Sequence, residues 1–226
     1  MRFFPPTLAL AGLALFSLNV LSQSDPESTP PPQPGQLAQP AQNSFEDMSN
    51  TLSAPPLTVG QKFNSRIVQS FGLRGLGGAA IGAAIGQARN SPHEWGQGAE
   101  GFGRRYGSGF AGNLSRQTFA FILESALHED PRYFPSTEKT KKARIGNALR
   151  QVILCKTDSG QTQFAYGRVV SAFGAAQFTN IWQPRSTGSF NDGIVRAVIG
   201  LGGDAAFNVM QEFLPFTRPR ALRHHP

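Results

Sequence analysis

Apolar residues recur at intervals of three and four through most of the chain beyond residue 57, which is the period of an amphipathic helix. Capping signals bound this pattern, since Thr58 and Gln61 have the spacing of a capping box and Ser189 precedes Asp192 in the same way. Pro215 ends the last segment. The pattern predicts an all-α fold, a compact bundle of about six helices at residues 59–71, 78–90, 92–127, 141–154, 164–182 and 190–213.

Each predicted helix has one apolar face. In the first segment this face carries Val59, Phe63, Ile67, Val68 and Phe71. In the fourth segment we expect Ile145, Leu149, Val152 and Ile153 to point inward.

Small residues form a second pattern at intervals of four. Gly78, Gly82 and Gly86 share one helix face, as do Gly103 and Gly107 in the third segment. In the fifth segment the same spacing joins Gly167, Ser171, Ala175 and Thr179. Because a glycine inside a helix costs up to ~1 kcal/mol relative to alanine, these stripes predict faces where helix backbones pack closely.

The first 56 residues differ from the rest of the chain. Residues 1–22 have the short basic start and apolar run of a secretory signal peptide, with cleavage expected after Ser22. Residues 23–56 are rich in Pro, Gln and Ser and predict a disordered tether. We therefore expect a helical domain at 57–216, a flexible basic tail at 217–226, and export to the periplasm or outer envelope.

Charge indicates what such an exported domain could contact. The chain has a net charge of +7, and without Arg2 and the four acidic residues of the tether it carries 20 basic and 10 acidic residues. An anionic membrane or glycan surface is the expected partner, not nucleic acid, and self-association through the glycine faces is a further expectation. No charge-free apolar stretch beyond the signal reaches the roughly 20 residues that span a bilayer, so we expect peripheral membrane association.

One short segment concentrates groups that could carry chemistry: Glu124, His128, Glu129, Asp130, Arg132 and Tyr133. Carboxylates with histidine suit acid–base catalysis or metal binding. The alternative is structural, with His128 at a helix end, Pro131 ending the helix and Arg132 paired with a neighbouring carboxylate. No nucleotide cofactor is expected, since the two G-x-G-x-x-G matches at 96–101 and 107–112 lie on a helical pattern. No metal is expected, since a metal site here would need further ligands.

Two single residues stand out in apolar surroundings. Asp204 is a candidate buried charge, which we expect to pair with Arg196 or with an arginine of a neighbouring helix. A functional carboxylate and simple exposure are the alternatives. Cys155, the only cysteine, is interpreted as a small hydrophobic residue at a helix end.

The motifs NSPHEWGQG (90–98) and LHEDPRYF (127–134), with TDSG (157–160) and NIW (180–182), resemble those of an uncharacterised family of exported bacterial proteins. The resemblance covers residues 56–216, implies a bacterial envelope setting and implies no catalytic residue. The Gly78 segment is similar to the glycine zippers of small outer-membrane proteins.

Three functions follow as hypotheses. The leading one is an exported envelope protein that acts as a structural or membrane-associated helical assembly. The first alternative is an exported metal-dependent or acid–base hydrolase that uses Glu124, His128, Glu129 and Asp130. The second alternative is a soluble periplasmic binder of polyanions.

Overall fold

A computed structural model describes Met48 and residues 51–217 of the chain. The described part is mostly helical, as predicted, with one two-stranded sheet. Its elements are α1 (Val59–Phe71), a π-helical turn (Leu73–Gly77), α2 (Gly78–Ala88), a 3-10 turn (His93–Trp95), α3 (Gly98–Ala126), α4 (Lys141–Arg150), β1 (Leu154–Lys156), β2 (Thr162–Phe164), α5 (Tyr166–Phe178), a 3-10 turn (Thr179–Ile181), α6 (Phe190–Phe213) and a final 3-10 turn (Pro215–Thr217).

The predicted signal peptide, most of the predicted tether and residues 218–226 lie outside the described residues. The described end of the tether contacts the helical domain. Met48 and Thr51 are buried, Thr51 forms an isolated β-bridge with Ser136, and the carbonyl of Pro55 accepts a hydrogen bond from Arg132 at 2.6 Å. The folded unit therefore begins before the predicted boundary at residue 57.

Both predicted capping boxes are present, and they start α1 and α6. The predicted helix start at Ser91–Pro92 is wrong, because only a 3-10 turn follows and α3 begins at Gly98. Gly96 has a φ of 67° and Gly98, at the first position of α3, has a φ of 80°, values that the interior of a right-handed helix does not accommodate. Arg105 holds this loop in place by donating to the carbonyls of Ser91, Pro92 and Gly96 at 2.8–2.9 Å.

The predicted helix at 141–154 is shorter than expected. The helix α4 ends at Arg150, and β1 pairs with β2 as an antiparallel hairpin in which Cys155 faces Gln163. A turn at residues 157–160 joins the two strands, with Gly160 at φ 83°. Cys155 is thus on a strand and not at a helix end.

Helix α3 lies at the centre of the fold and packs against α1, α2 and α5, while α6 packs against α4 and α5. Small residues form much of these interfaces. The predicted stripe on α5 is buried at all four positions: Gly167, Ser171, Ala175 and Thr179. Short side chains let the α5 backbone approach α3 and α6 closely, as the spacing indicated.

The helices turn polar or small residues inward and expose large apolar side chains. On α1, Lys62, Arg66 and Ser70 are buried, whereas Phe63 and Ile67 are exposed. On α4, the predicted inward residues Ile145 and Leu149 are exposed. Beyond the end of α4, Ile153 is also exposed, and of the four only Val152 is buried. The predicted inward orientation is therefore wrong at three of the four positions, and buried ion pairs and alanines occupy much of the interior.

The glycine ladder of α2 does not pack against the described residues as predicted. Gly78 and Gly82 are exposed, and a Cβ at either position would meet nothing within 4 Å. The same holds for Gly103 and Gly107 on α3. Two alanines next to the ladder, Ala79 and Ala83, form the buried face of α2, and Gly86 alone of the predicted ladder is in close contact, with Ser91 and Arg105.

One helix in the described part of the chain, α6, is long and apolar enough to cross a membrane. Only 22% of its most apolar window is buried within the protein. The prediction concerned charge-free stretches, and α6 is not one, since it contains Asp192, Arg196, Asp204 and Glu212. In the structure Asp204 points inward, while Ile194, Val195, Val198 and Ile199 are exposed.

Candidate functional site

A cavity of about 930 Å³ lies among α1, the π-helical turn, α3, α5 and α6. Five arginines line it, contributed by different elements: Arg66, Arg74, Arg116, Arg132 and Arg168. Among the residues that line it, Asp204 is the only acidic one. The amides of Gln69, Gln117 and Asn208 and the ring of Phe207 complete much of its wall.

Arg66 connects α1 to the central helix. Its guanidinium forms a two-pronged ion pair with Glu124 of α3, including a 3.0 Å hydrogen bond from Nε to Oε2. Nη1 donates to Oε1 of Gln117 at 2.8 Å. Arg66 and Glu124 are both nearly inaccessible, so each supplies the partner that the other requires inside the fold.

Asp204 is a buried charge, as the sequence indicated. It pairs with Arg74 of the π-helical turn and with Arg116 of α3, whose Nη2 lies 2.5 Å from Oδ2. Arg196, the other expected partner, instead donates to the carbonyl of Thr187 at 2.5 Å. One carboxylate thus accepts from two guanidinium groups at the cavity wall.

The cavity has an excess of positive charge. Its five arginines are opposed in direct ion pairs by three carboxylates, those of Glu124, Asp130 and Asp204. Arg168 donates to the carbonyls of Gln151 and Leu154, and within residues 51–217 it forms no ion pair with a carboxylate. The balance of these side chains is therefore about two positive charges around the cavity.

The predicted chemical cluster does not converge on one reacting position. His128 has φ of 56°, is exposed, and its Nδ1 lies 3.5 Å from Asp158. Asp130 accepts from the side chain of Arg132 at 2.6–3.2 Å. The hydroxyl of Tyr133 accepts from Asn147 at 3.0 Å. Arg132 and Tyr133 do line the arginine cavity, but His128 and the carboxylates of the cluster do not.

Glu129 is the second fully buried carboxylate at this end of α3. Its Oε2 accepts from the backbone N–H of Gly167 at 3.0 Å, which joins the loop to the first turn of α5. Burial raises the pKa of Glu129, and the nearby charge of Glu124 acts in the same direction. No group of three or more His, Cys, Asp or Glu side chains in the described residues could hold a metal ion.

Cys155 is buried in the hairpin, and burial raises the pKa of its thiol to about 12. A thiol with such a pKa is almost entirely protonated near neutral pH and is a poor nucleophile. This agrees with its interpretation as a small hydrophobic residue.

Sequence reasoning missed the arginine cavity. Its arginines are spread from residue 66 to residue 168, so no local motif connects them. One signal was present, since Lys62 and Arg66 recur at the interval of four on α1, together with Ser70. That polar stripe was as regular as the apolar one opposite to it.

Searches of protein-family profiles, curated proteins and solved structures returned no match to this chain.

Proposed function

We propose that the protein is an exported, membrane-associated structural protein of the cell envelope, with the apolar faces of its helices in contact with lipid. The observation that carries this proposal is the reversed polarity of the fold. Large apolar side chains are exposed on every helix, while Lys62, Arg66, Glu124 and Glu212 are buried. Charged groups that face a bundle interior and pair with one another are typical of proteins in lipid.

The distribution of the exposed apolar residues favours lipid over a single protein partner. They include Phe63 on α1, Ile81 on α2, Ile122 on α3, Val170 on α5 and Ile199 on α6. Removing one such side chain from water is worth roughly 1.5–3 kcal/mol. A partner covering one face would leave the others in water, whereas lipid can cover all of them.

The finer predictions belong to the same proposal. We infer that the six α-helices form one bundle, that the signal predicted at residues 1–22 directs export, and that the segment after it tethers the domain. The resemblance to exported bacterial proteins supports this setting.

Cell fractionation tests the proposal. The full chain should remain with membranes after carbonate washing and should require detergent for release, because apolar contact does not depend on salt or pH. Release as a monodisperse protein by osmotic shock alone would contradict it.

A variant pair sharpens this test. A double variant with both Phe63 and Ile199 replaced by Gln should increase the carbonate-soluble fraction of the protein, since both side chains are exposed. Thr118→Gln, at an exposed polar position of α3, is the matched control and should behave as wild type. Equal behaviour of the two variants would refute lipid contact at these faces.

Self-association through α2 is a second proposal, favoured by the open glycine face. Since a Cβ at Gly78 or Gly82 meets nothing within 4 Å, leucines there fit the single chain but block close approach of a second helix. Gly78→Leu/Gly82→Leu should therefore abolish chemical crosslinking in detergent, whereas the control Ala84→Leu, at an exposed alanine, should not. Unchanged crosslinking in the glycine variant would remove this proposal.

The other hypotheses have less support. A hydrolase would need its acid and base to face one another, and His128 points away from the buried carboxylates Glu124 and Glu129. A polyanion binder is supported by the exposed Lys139, Lys141 and Lys142. It predicts binding to anionic vesicles that weakens steeply with salt.

A further inference from the structure

We propose that the arginine cavity is a binding site for a phosphate group, either free or as the headgroup of an anionic lipid. The site is centred on Arg74 and Arg116, whose shared carboxylate Asp204 leaves one positive charge uncompensated. This inference goes beyond the proposed structural role and does not depend on it, because it concerns the interior of the fold.

Positive charge is held in the cavity by the fold. Arg74 comes from the π-helical turn, Arg116 from α3 and Arg168 from α5, so three separate elements direct guanidinium groups to one space. The side chains of Arg74 and Arg116 are largely buried, so water screens the repulsion between them only in part, and an anion between them would relieve it. An anion entering this cavity is therefore favoured by the net charge as well as by hydrogen bonding.

Both central arginines have hydrogen-bond donors that Asp204 does not use. A guanidinium carries five N–H donors. Arg116 directs two of them to Asp204, and Arg74 directs one to Asp204 and one to Gln69 at 3.1 Å. These described contacts leave three donors on each arginine, and the planar fork of N–H groups matches the oxygens of a phosphate.

The remaining wall fits the body of an amphiphile. Leu73, Phe207 and Phe216 line the same cavity as the arginines. The volume of about 930 Å³ is within the range of ordinary ligand sites and exceeds what one phosphate fills. A phosphate at the arginines with an apolar chain against these side chains would use both parts of the wall.

The test measures binding to the full chain in a non-ionic detergent, at constant ionic strength and in a phosphate-free buffer. Calorimetry with inorganic phosphate forms one arm, and a short-chain phosphatidylglycerol forms the other, with the matching phosphatidylcholine for comparison. Arg74→Gln is the test variant, because Asp204 keeps its pair with Arg116. Arg104→Gln is its control, since that exposed arginine has the same charge and pairs with Glu100 outside the cavity.

We expect saturable binding at one site that Arg74→Gln weakens roughly 10- to 100-fold, the worth of one charge-assisted hydrogen bond, and that Arg104→Gln leaves unchanged. Asp204→Asn should act in the opposite direction and strengthen binding about tenfold, because it removes the competing carboxylate. Preference for phosphatidylglycerol over inorganic phosphate would assign the lipid source, and equal affinity would assign the free anion.

Three results would overturn the inference. These are no binding in either arm, equal losses in Arg74→Gln and Arg104→Gln, or an Asp204→Asn variant that folds and binds no better than wild type. If Arg74→Gln does not fold by circular dichroism, the Asp204→Asn comparison alone decides. Carbonate release of the protein from membranes bears on the structural proposal and leaves these outcomes unaffected.

Discussion

Gly167→Ala should destabilise the protein, although alanine is the better helix former. A Cβ at Gly167 would lie 2.7 Å from Cγ of Glu124 and 2.8 Å from Oε2 of Glu129. Neither glutamate can move aside easily, because Glu124 is ion-paired with Arg66 and Glu129 accepts a hydrogen bond from the backbone N–H of Gly167. The added methyl must therefore shift α5 away from α3 or disrupt a buried carboxylate.

The expected magnitude follows from two opposing terms. Overpacking of a closely packed site costs typically 1–3 kcal/mol, and the helix propensity of alanine returns up to ~1 kcal/mol. Adding the weakened contact of a buried carboxylate, we expect a net loss of about 2 kcal/mol. For a domain of this size that corresponds to a fall in Tm of roughly 4–8 °C.

Gly174→Ala on the same helix is the matched control. A Cβ there would lie 3.7 Å from Cδ2 of Phe119, which is ordinary van der Waals contact. This variant should keep or raise the Tm, since only helix propensity changes. Thermal unfolding followed by circular dichroism measures both. The reasoning is refuted if Gly167→Ala is as stable as wild type, or if the two variants shift the Tm equally.

Three further predictions concern other buried groups. Burial raises the pKa of Glu129, so its favourable contribution to stability is complete below its unfolded pKa of about 4.3 and is lost as pH rises through the folded pKa. Glu129→Gln removes this titration, so the unfolding free energy of the variant should rise relative to that of wild type between pH 4 and 7 in denaturant titrations. A difference between the two proteins that stays constant with pH would contradict the assignment. Arg105→Met should destabilise by about 3 kcal/mol because three loop carbonyls, including that of the buried Pro92, lose their donor. Arg104→Met, at an exposed position, should change the denaturation midpoint little. Equal midpoints for the two variants would count against this role of Arg105 in holding the loop. Cys155 is buried, and its pKa is raised to about 12, so it should resist maleimide at pH 7.5 in the native state and react after denaturation. Fast labelling of the native protein would contradict this prediction, because it would show that the thiol is accessible.

Several features were predictable because they depend on neighbouring residues. The capping boxes at Thr58 and Ser189 arise from side chains three residues apart, and both are present. The turn at 157–160 follows from its own residues. The start of α3 was not predictable in this way, because the Ser91–Pro92 signal is overridden by two left-handed glycines and by Arg105 from the following helix.

The ion pairs illustrate the opposite case. That Asp204 needs a partner follows from its apolar neighbours, and the structure confirms a buried pair. The partners Arg74 and Arg116 are 130 and 88 residues away in the chain, and only folding brings them together. The same applies to Arg66 and Glu124, which join α1 to α3.

By itself, the sequence determined where most helices form and which residues share a face, because propensity, capping and period act within a few residues. It did not determine which face of each helix points inward. That choice belongs to the tertiary structure, since a polar face can be buried only where other parts of the fold supply the opposite charges and the hydrogen-bond partners. Here Lys62, Arg66, Asp204 and Glu212 find those partners, and the apolar faces are left on the outside.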